Sequence, residues 1–283
     1  MAQKPLTLAV ETSSRIGSVA IAIGDRILAE SAFSGPMRHS AELFPAIRSL
    51  LDRFNREPQE IEHIYISVGP GSFTGLRIAV TMAKAMHLAN PQRRTKIVAV
   101  DTLDVIAANA ADLATDASSH QPPASSIEYP ASSIENIAAV LDAKRGQFFI
   151  AVYQRSGTGF KPVKTRPRWP SHIPPSKGRD ERRATSDGIW KKTLPDSLMT
   201  ASQFLHQFAC KQKPVWLLGD GLVYYKDKFK ADGIRFLDEQ YWSPRAEKVH
   251  LLGCEMSLKG RFADPLTLQP AYLRCPDVKI KPR

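Results

Sequence analysis

Cysteine is scarce in this chain: Cys210, Cys254 and Cys275 are the only three among 283 residues, and no two of them form a Cys-x-x-Cys pair. An odd, scattered set builds no disulfide framework and fits a reducing compartment. Long hydrophobic runs are also missing. None approaches the ~18 residues that a membrane-crossing helix needs. The opening Met1-Ala2-Gln3-Lys4-Pro5 passes directly into a strand pattern, without the apolar core of a secretion signal. These absences predict a cytoplasmic protein without a membrane partner. Acidic residues are the third shortage, 28 against 39 Lys and Arg, for a net charge of +11. The surplus is local: residues 161–192 hold ten Lys and Arg against Asp180, Glu181 and Asp187, in a proline-rich segment. Such a run reads as a solvated loop. Its arginines, among them Arg166, Arg168, Arg182 and Arg183, are the candidates for a contact with RNA phosphates, with Trp169 or Trp190 to stack on a base.

Apolar residues are plentiful, 43% of the chain, enough for one large core or two moderate ones. The most distinctive stretch is Gly69-Pro70-Gly71-Ser72-Phe73-Thr74-Gly75-Leu76-Arg77. It joins the strand-like run Ile64-Tyr65-Ile66-Ser67-Val68 to a helix-like run over 78–89. Three glycines and a proline there describe a tight turn with converging amide N–H groups, a geometry suited to an anion at a helix start. A phosphate-binding P-loop is excluded, because Leu76-Arg77 follow Gly75 where that motif requires Lys and then Ser or Thr.

Periodicity predicts strands over 6–11, 17–23 and 27–33, with Gly24-Asp25 turning the second into the third. Leu43, Phe44, Ile47, Leu50, Leu51 and Phe54 recur at helical spacing over 40–55. Strand 64–68, helix 75–89, strand 96–100 and helix 102–111 follow, an order that suits a mixed sheet with helices on its faces. Residues 112–135 break the pattern: Pro123-Ala124-Ser125-Ser126-Ile127-Glu128 returns as Pro130-Ala131-Ser132-Ser133-Ile134-Glu135. That composition predicts a flexible linker. Beyond it the reading is a strand–turn–strand over 137–152, the basic insertion over about 155–200, and helix 200–210. Strand 215–219, a Gly219-Asp220-Gly221 turn, a helix near 222–230, strand 234–237 and helix 244–259 complete it. The expectation is an α/β chain of two lobes, residues 1–111 and 136–283.

Taken in order, several segments resemble the TsaB (YeaZ) family: Leu8-Ala9-Val10-Glu11-Thr12-Ser13-Ser14, Gly17-Ser18-Val19-Ala20-Ile21-Ala22, His39-Ser40-Ala41-Glu42-Leu43-Phe44-Pro45-Ala46-Ile47, the glycine loop, and Ala99-Val100-Asp101-Thr102-Leu103. Leu141-Asp142-Ala143-Lys144-Arg145-Gly146-Gln147-Phe148-Phe149 and Gln269-Pro270-Ala271-Tyr272-Leu273-Arg274 extend the likeness more thinly. It is close over about 6–110 and patchy over 137–153 and 214–275, while 112–135 and 155–200 have no counterpart. The resemblance implies two actin-like, ribonuclease H-like lobes. It also implies a part in making N6-threonylcarbamoyladenosine at position 37 of tRNA, beside the TsaD transferase and the TsaE ATPase.

In the wider fold group a nucleotide lies between the lobes, against one strand-end turn from each. The resemblance puts Glu11, Thr12 and Ser13 on the first turn and Asp142 on the second, with Gly219 and Gly221 towards an adenine. One carboxylate from each turn would hold Mg²⁺ against phosphate oxygens. The second turn, however, carries the bulky Lys144-Arg145 in place of glycines that let a backbone approach phosphate. A vestigial cleft is therefore expected: no cofactor for the isolated chain, and ATP with Mg²⁺ only at the level of a complex. TsaD holds its metal with a His-x-x-x-His pair. Here that stretch is His39-Ser40-Ala41-Glu42-Leu43, so neither a metal nor a catalytic residue is expected, and glycoprotease activity falls with the same histidine. Ser13 and Ser72 read as caps and turn formers.

What remains is a scaffold. Helices 40–55 and 75–89 would pair with a TsaD homologue through His39, Leu43, Ile47, Gly71, Arg77, Met82 and Met86, where small side chains and adaptable methionines allow close approach. The TsaE-type ATPase and tRNA would join through that complex, and a homodimer of the free chain would use the same helices. The alternative function is a stand-alone ATPase or kinase of the actin-like group, working through Glu11 and Asp142 with Mg-ATP.

Overall fold

Among the described residues, two five-stranded sheets frame the molecule, and both are wired the same way. In the first, β1 (Leu6–Glu11) runs antiparallel to β2 (Ser18–Ile23), which runs antiparallel to β3 (Arg26–Ala32). On the other side of β1, β4 (Ile61–Gly69) lies parallel to it, and β5 (Lys96–Asp101) lies parallel to β4. The second sheet repeats this with β6 (Asn136–Asp142) in the central place, flanked by antiparallel β7 (Gln147–Arg155) and β8 (Trp190–Thr200), then parallel β9 (Val215–Leu218) and β10 (Ile234–Phe236). The orders are 3-2-1-4-5 and 8-7-6-9-10. This computed structural model describes residues 4–36, 38–90, 95–113, 133–156 and 190–273. Arg166, Arg168, Arg182, Arg183, Trp169 and most of the duplicated linker lie outside them.

The residues of β1 explain the layering. Alternation sends Leu6, Leu8 and Val10 to one face, where they meet Val19, Ile21, Ile64 and Ile66 in a single aliphatic core. Helices α1 (His39–Arg53) and α2 (Phe73–Ala89) cover that face. Each fully buried aliphatic side chain there stabilises the fold by about 1.5–3 kcal/mol. The opposite face carries small residues, Ala9 and Ala20, beside Tyr65, Val98 and Val100.

The helices that follow β5 and β10 cross over. Residues Leu103, Ile106 and Ala107 of α3 (Thr102–Ala108) join the core of the second sheet. The helix over 246–258 does the reverse: its Ala246 and Val249 pack on the small-residue face of the first sheet. The expected assignment of that helix to the second lobe is therefore corrected. The alanines leave room for a close helix, so close that a Cβ on Gly253 would stand 2.5 Å from the Tyr65 ring. Polar pins hold the crossing. Asn109 donates its amide to the carbonyls of Tyr241 (3.0 Å) and Ser243 (2.8 Å), and Asp112 takes Arg245 and Lys248 at 2.6 Å each.

Three further readings change. The insertion expected over 155–200 ends earlier, because 190–200 is the strand β8. Its Lys191, Lys192, Pro195 and Asp196 disguised it, yet lysine and proline are what an edge strand tolerates. Pro195 and Asp196 together stand opposite the single residue Ala151, a bulge in the β7 pairing. The helix expected over 102–111 is α-helical only to Ala108 and finishes as a 3₁₀ turn, Asn109–Asp112. The helix near 222–230 is likewise one turn, Leu222–Tyr225, followed by 3₁₀ residues Lys226–Phe229. A further helix of the second lobe, Ala201–Phe208, is capped by Thr200, whose hydroxyl accepts from the amide of Gln203. Among the described residues no helix is long and apolar enough to cross a membrane.

Candidate functional site

The turn after β1 is closed from above by the glycine loop. Ser72 donates its backbone amide to the Ser13 carbonyl at 2.7 Å, and the Thr12 hydroxyl donates to the Gly75 carbonyl at 2.8 Å. Gly71 and Gly75 lie directly on this turn. A Cβ at Gly75 would stand 1.8 Å from the Thr12 carbonyl oxygen, so no side chain fits there. Ser72 caps α2 by accepting from the amide of Gly75 at 3.3 Å. The amides expected to cradle an anion are therefore turned partly inward, onto this chain's own backbone.

Glu11 is fully buried beneath the same loop. Its carboxyl group accepts the Ser13 amide at 2.6 Å and bonds the hydroxyls of Ser13 and Ser67. Burial nevertheless outweighs these bonds and raises its pKa above the ordinary carboxylate value, with nearby Asp220 adding to the rise. Glu11 is thus engaged by this chain's own donors and closed off from solvent. Asp142, at the end of β6, accepts the backbone amide of Lys144 at 2.7 Å and its ammonium at 2.8 Å. Lys144, Arg145 and Gly146 all have left-handed backbones, with φ of 65°, 55° and 73°. The lysine occupies the carboxylate that a metal would need. Gly219 (φ 127°) presses on the Val140 carbonyl, and Gly221 donates its amide to that oxygen at 3.1 Å. Between them Asp220 takes the backbone amide of Arg15 at 3.0 Å, while the Arg15 guanidinium lies 4.6 Å from the centre of the Tyr224 ring.

The structure does bring Glu11, Asp220 and Asp142 to the same region, where each carboxylate of the series is felt by the next. Among the described residues no group of three His, Cys, Asp or Glu side chains is placed to hold a metal. For Mg-ATP the arrangement offers no pair of open carboxylates, since Glu11 is sealed beneath the glycine loop and Asp142 is paired with Lys144.

A second feature lies on the outer side of α1 and α2. Ser40, Leu43, Phe44, Phe73, Thr74, Arg77, Ile78, Thr81, Met82 and Ala85 line a groove of about 520 Å³ between the two helices. Phe44 is 57% exposed and Phe73 41% exposed, although both are large and apolar. An aromatic pair left in water beside an apolar groove marks a contact surface. The Arg77 guanidinium lies 5.1 Å from the centre of the Phe73 ring.

The expected interface residues divide between this groove and the core. Arg77 is exposed, and Gly71 and Met86 are half-buried. His39 and Ile47 are buried within their own subunit, so their assignment as docking contacts is corrected, whereas Leu43 and Met82, equally buried, line the groove. All four sit on the stripe of α1 and α2 that packs on the β1 face, whereas Phe44, one residue from Leu43, is turned outwards. His39 donates its Nε2–H to the Ser14 carbonyl at 3.0 Å, and burial lowers its pKa, keeping it neutral. It ties α1 to the first turn. Phe44, Phe73 and Tyr272 were missed as surface residues. Helical periodicity places a residue on one face of a helix, but 100° per residue leaves Leu43 and Phe44 indistinguishable until a neighbour fixes which face is inside.

Comparison with known proteins adds to this geometry. A family profile for TsaD, tRNA N6-adenosine threonylcarbamoyltransferase, matches residues 27–164. The chain is 27% identical over 280 residues to the tRNA threonylcarbamoyladenosine biosynthesis protein TsaB of Bacillus subtilis (strain 168), an alignment covering 97% of this chain and 96% of that one. To the Escherichia coli (strain K12) protein of the same description it is 22% identical, over 94% of each chain. Among solved structures, YeaZ from Pseudomonas aeruginosa aligns with a TM-score of 0.66 at 20% identity, over 95% of this chain and all of the other. That likeness, with the two identically ordered sheets, shows a two-lobe actin-like fold.

Proposed function

Because this chain belongs to the TsaB/YeaZ family, we propose that it is the non-catalytic partner of a TsaD-type transferase in forming N6-threonylcarbamoyladenosine on tRNA. Transfer of the threonylcarbamoyl group from its adenylate to the N6 amine takes place on the transferase, which keeps the metal ligands. This chain offers it a surface. The observation that carries the reading is the α1–α2 groove with Phe44 and Phe73 facing water. The profile for the transferase matches the stretch of this chain that holds both helices, so such a partner brings a counterpart of the same pair. Like surfaces in contact are the geometry of a two-fold interface, and a pair of standard size buries ~1,600 Å² in total. The pathway's ATPase and the tRNA meet this protein through that complex.

Leu43, where the transferase pattern has its second histidine, is buried with no exposed surface. It serves packing and supplies no ligand beside His39. The test contrasts neighbouring residues. Phe44→Arg should abolish co-purification with the cell's TsaD-type protein while leaving the melting temperature within a few degrees, because a charge then sits in a desolvated contact. Leu43→Ala should instead cost about 2–5 kcal/mol of folding stability through a cavity. Wild-type binding by Phe44→Arg would remove the groove from the interface. Steady ATP turnover by the pure chain, lost in Asp142→Ala, would favour an enzyme instead.

A further inference from the structure

The C-terminal segment returns to the first lobe and ends on the groove. Ala263 pairs with Ile97 at the outer edge of β5, donating its amide to that carbonyl at 2.8 Å. Leu268 then plugs into the aliphatic core of the first sheet. Ala271 donates its amide to the Val68 carbonyl at 2.7 Å, and its own carbonyl lies so near Gly69 that a Cβ there would stand 2.6 Å away. This places the next residue, Tyr272, over the start of α2, where its ring stacks on Phe73 with centroids 5.0 Å apart and planes 28° from parallel. Arg77 rests on the same Phe73 ring. Tyr272 is itself 40% exposed, and Arg77 forms no ion pair among the described residues.

We propose that Tyr272 is a positioning residue of the docking face: the strap 268–273 delivers its ring to Phe73, fixing an aromatic ledge on which the partner's helix pair lands, with an acidic side chain of the partner meeting Arg77. This rests on the reading of the groove as the surface for a TsaD-type chain. The physical reason is pre-organisation. A phenylalanine at the first position of a helix, beside a glycine-rich turn, is free to change rotamer unless a neighbour holds it. A side chain ordered before binding avoids the entropy loss of being ordered during it. Aromatic stacking supplies the hold. The strap lies outside both helices in sequence, and only the fold carries it to the groove.

The experiment measures affinity for the purified TsaD-type protein of the same cell by calorimetry, with full-length variants and their melting curves. Tyr272→Phe keeps the ring and should bind within about twofold of wild type. Tyr272→Ala should weaken binding about tenfold or more with an unchanged melting temperature, a hot-spot effect. Arg77→Glu, on an exposed residue that leaves the fold untouched, should weaken binding further and most strongly at low salt. Wild-type affinity in Tyr272→Ala, alongside loss in Phe44→Arg, overturns the role of the strap and keeps the groove. Wild-type affinity in both overturns the groove as well. Weaker self-association of Tyr272→Ala with unchanged partner affinity assigns the ledge to a second copy of this chain and also overturns the proposal.

Discussion

The two turns after the central strands, 11–14 and 142–146, hold the same place in two sheets of the same order, yet they have diverged. The first is roofed. Its carboxyl group is sealed under serine hydroxyls, and a glycine loop lies against its backbone with no room for a methyl group. The second is open, three successive left-handed residues reach towards solvent, and its carboxylate is satisfied by a lysine that is 81% exposed. A cleft that binds Mg-nucleotide needs both turns bare and both carboxylates charged. Here one is sealed by packing and the other is held in a salt bridge. Symmetry of topology does not preserve symmetry of chemistry.

The comparison is broken most severely by a methyl group. Gly75→Ala should prevent folding or cost more than about 4 kcal/mol, since the new Cβ would overlap the Thr12 carbonyl. Gly146→Ala meets nothing within 4 Å and should cost only about 1 kcal/mol for its left-handed backbone. Denaturation midpoints of the two variants measure the contrast; equal losses would mean that the first turn is not roofed as described. A smaller effect separates the crossing helices. His250, on the helix that covers the first sheet, is held near a pKa of about 4 by burial, against the pull of Asp25. Between pH 6.5 and 4 the unfolded chain takes up a proton that the native chain refuses, so stability should fall as the pH drops through that window. The total approaches 3 kcal/mol in order of magnitude. Urea midpoints at pH 7 and pH 4.5 should diverge less in His250→Leu than in wild type. The smallest effect belongs to the open turn. Asp142→Asn should change stability by about 0–1 kcal/mol, because its partner's ammonium is already in water.

Much of the first lobe was legible in its residues. Strand 6–11, helix 40–55 and the strand–glycine–helix junction at 69–75 each carry a strong periodic or turn signal, and the structure has β1, α1 and the junction there. The strand β8 was not legible, because an edge strand with Lys191, Lys192 and Pro195 has the composition of a loop until β7 supplies its hydrogen bonds. The site was half legible. Leu43 and the bulk of Lys144 at the second turn are read directly from the chain, and the family resemblance is what makes the first bear on a metal and the second on a nucleotide. Whether Leu43 or Phe44 faces the core is not such a fact, since each is apolar and each fits one side of the helix.

The sequence by itself determined the strand and helix menu of the first lobe and the family likeness, because these depend on residue identity and local spacing. Tertiary structure alone decided which aromatic rings were left in water, which helix covered which sheet, and that Tyr272 came to lie on Phe73 from about 200 positions away. Those outcomes follow from packing. A side chain's exposure is set by whatever neighbour fills the space around it, and that neighbour is chosen by the whole fold.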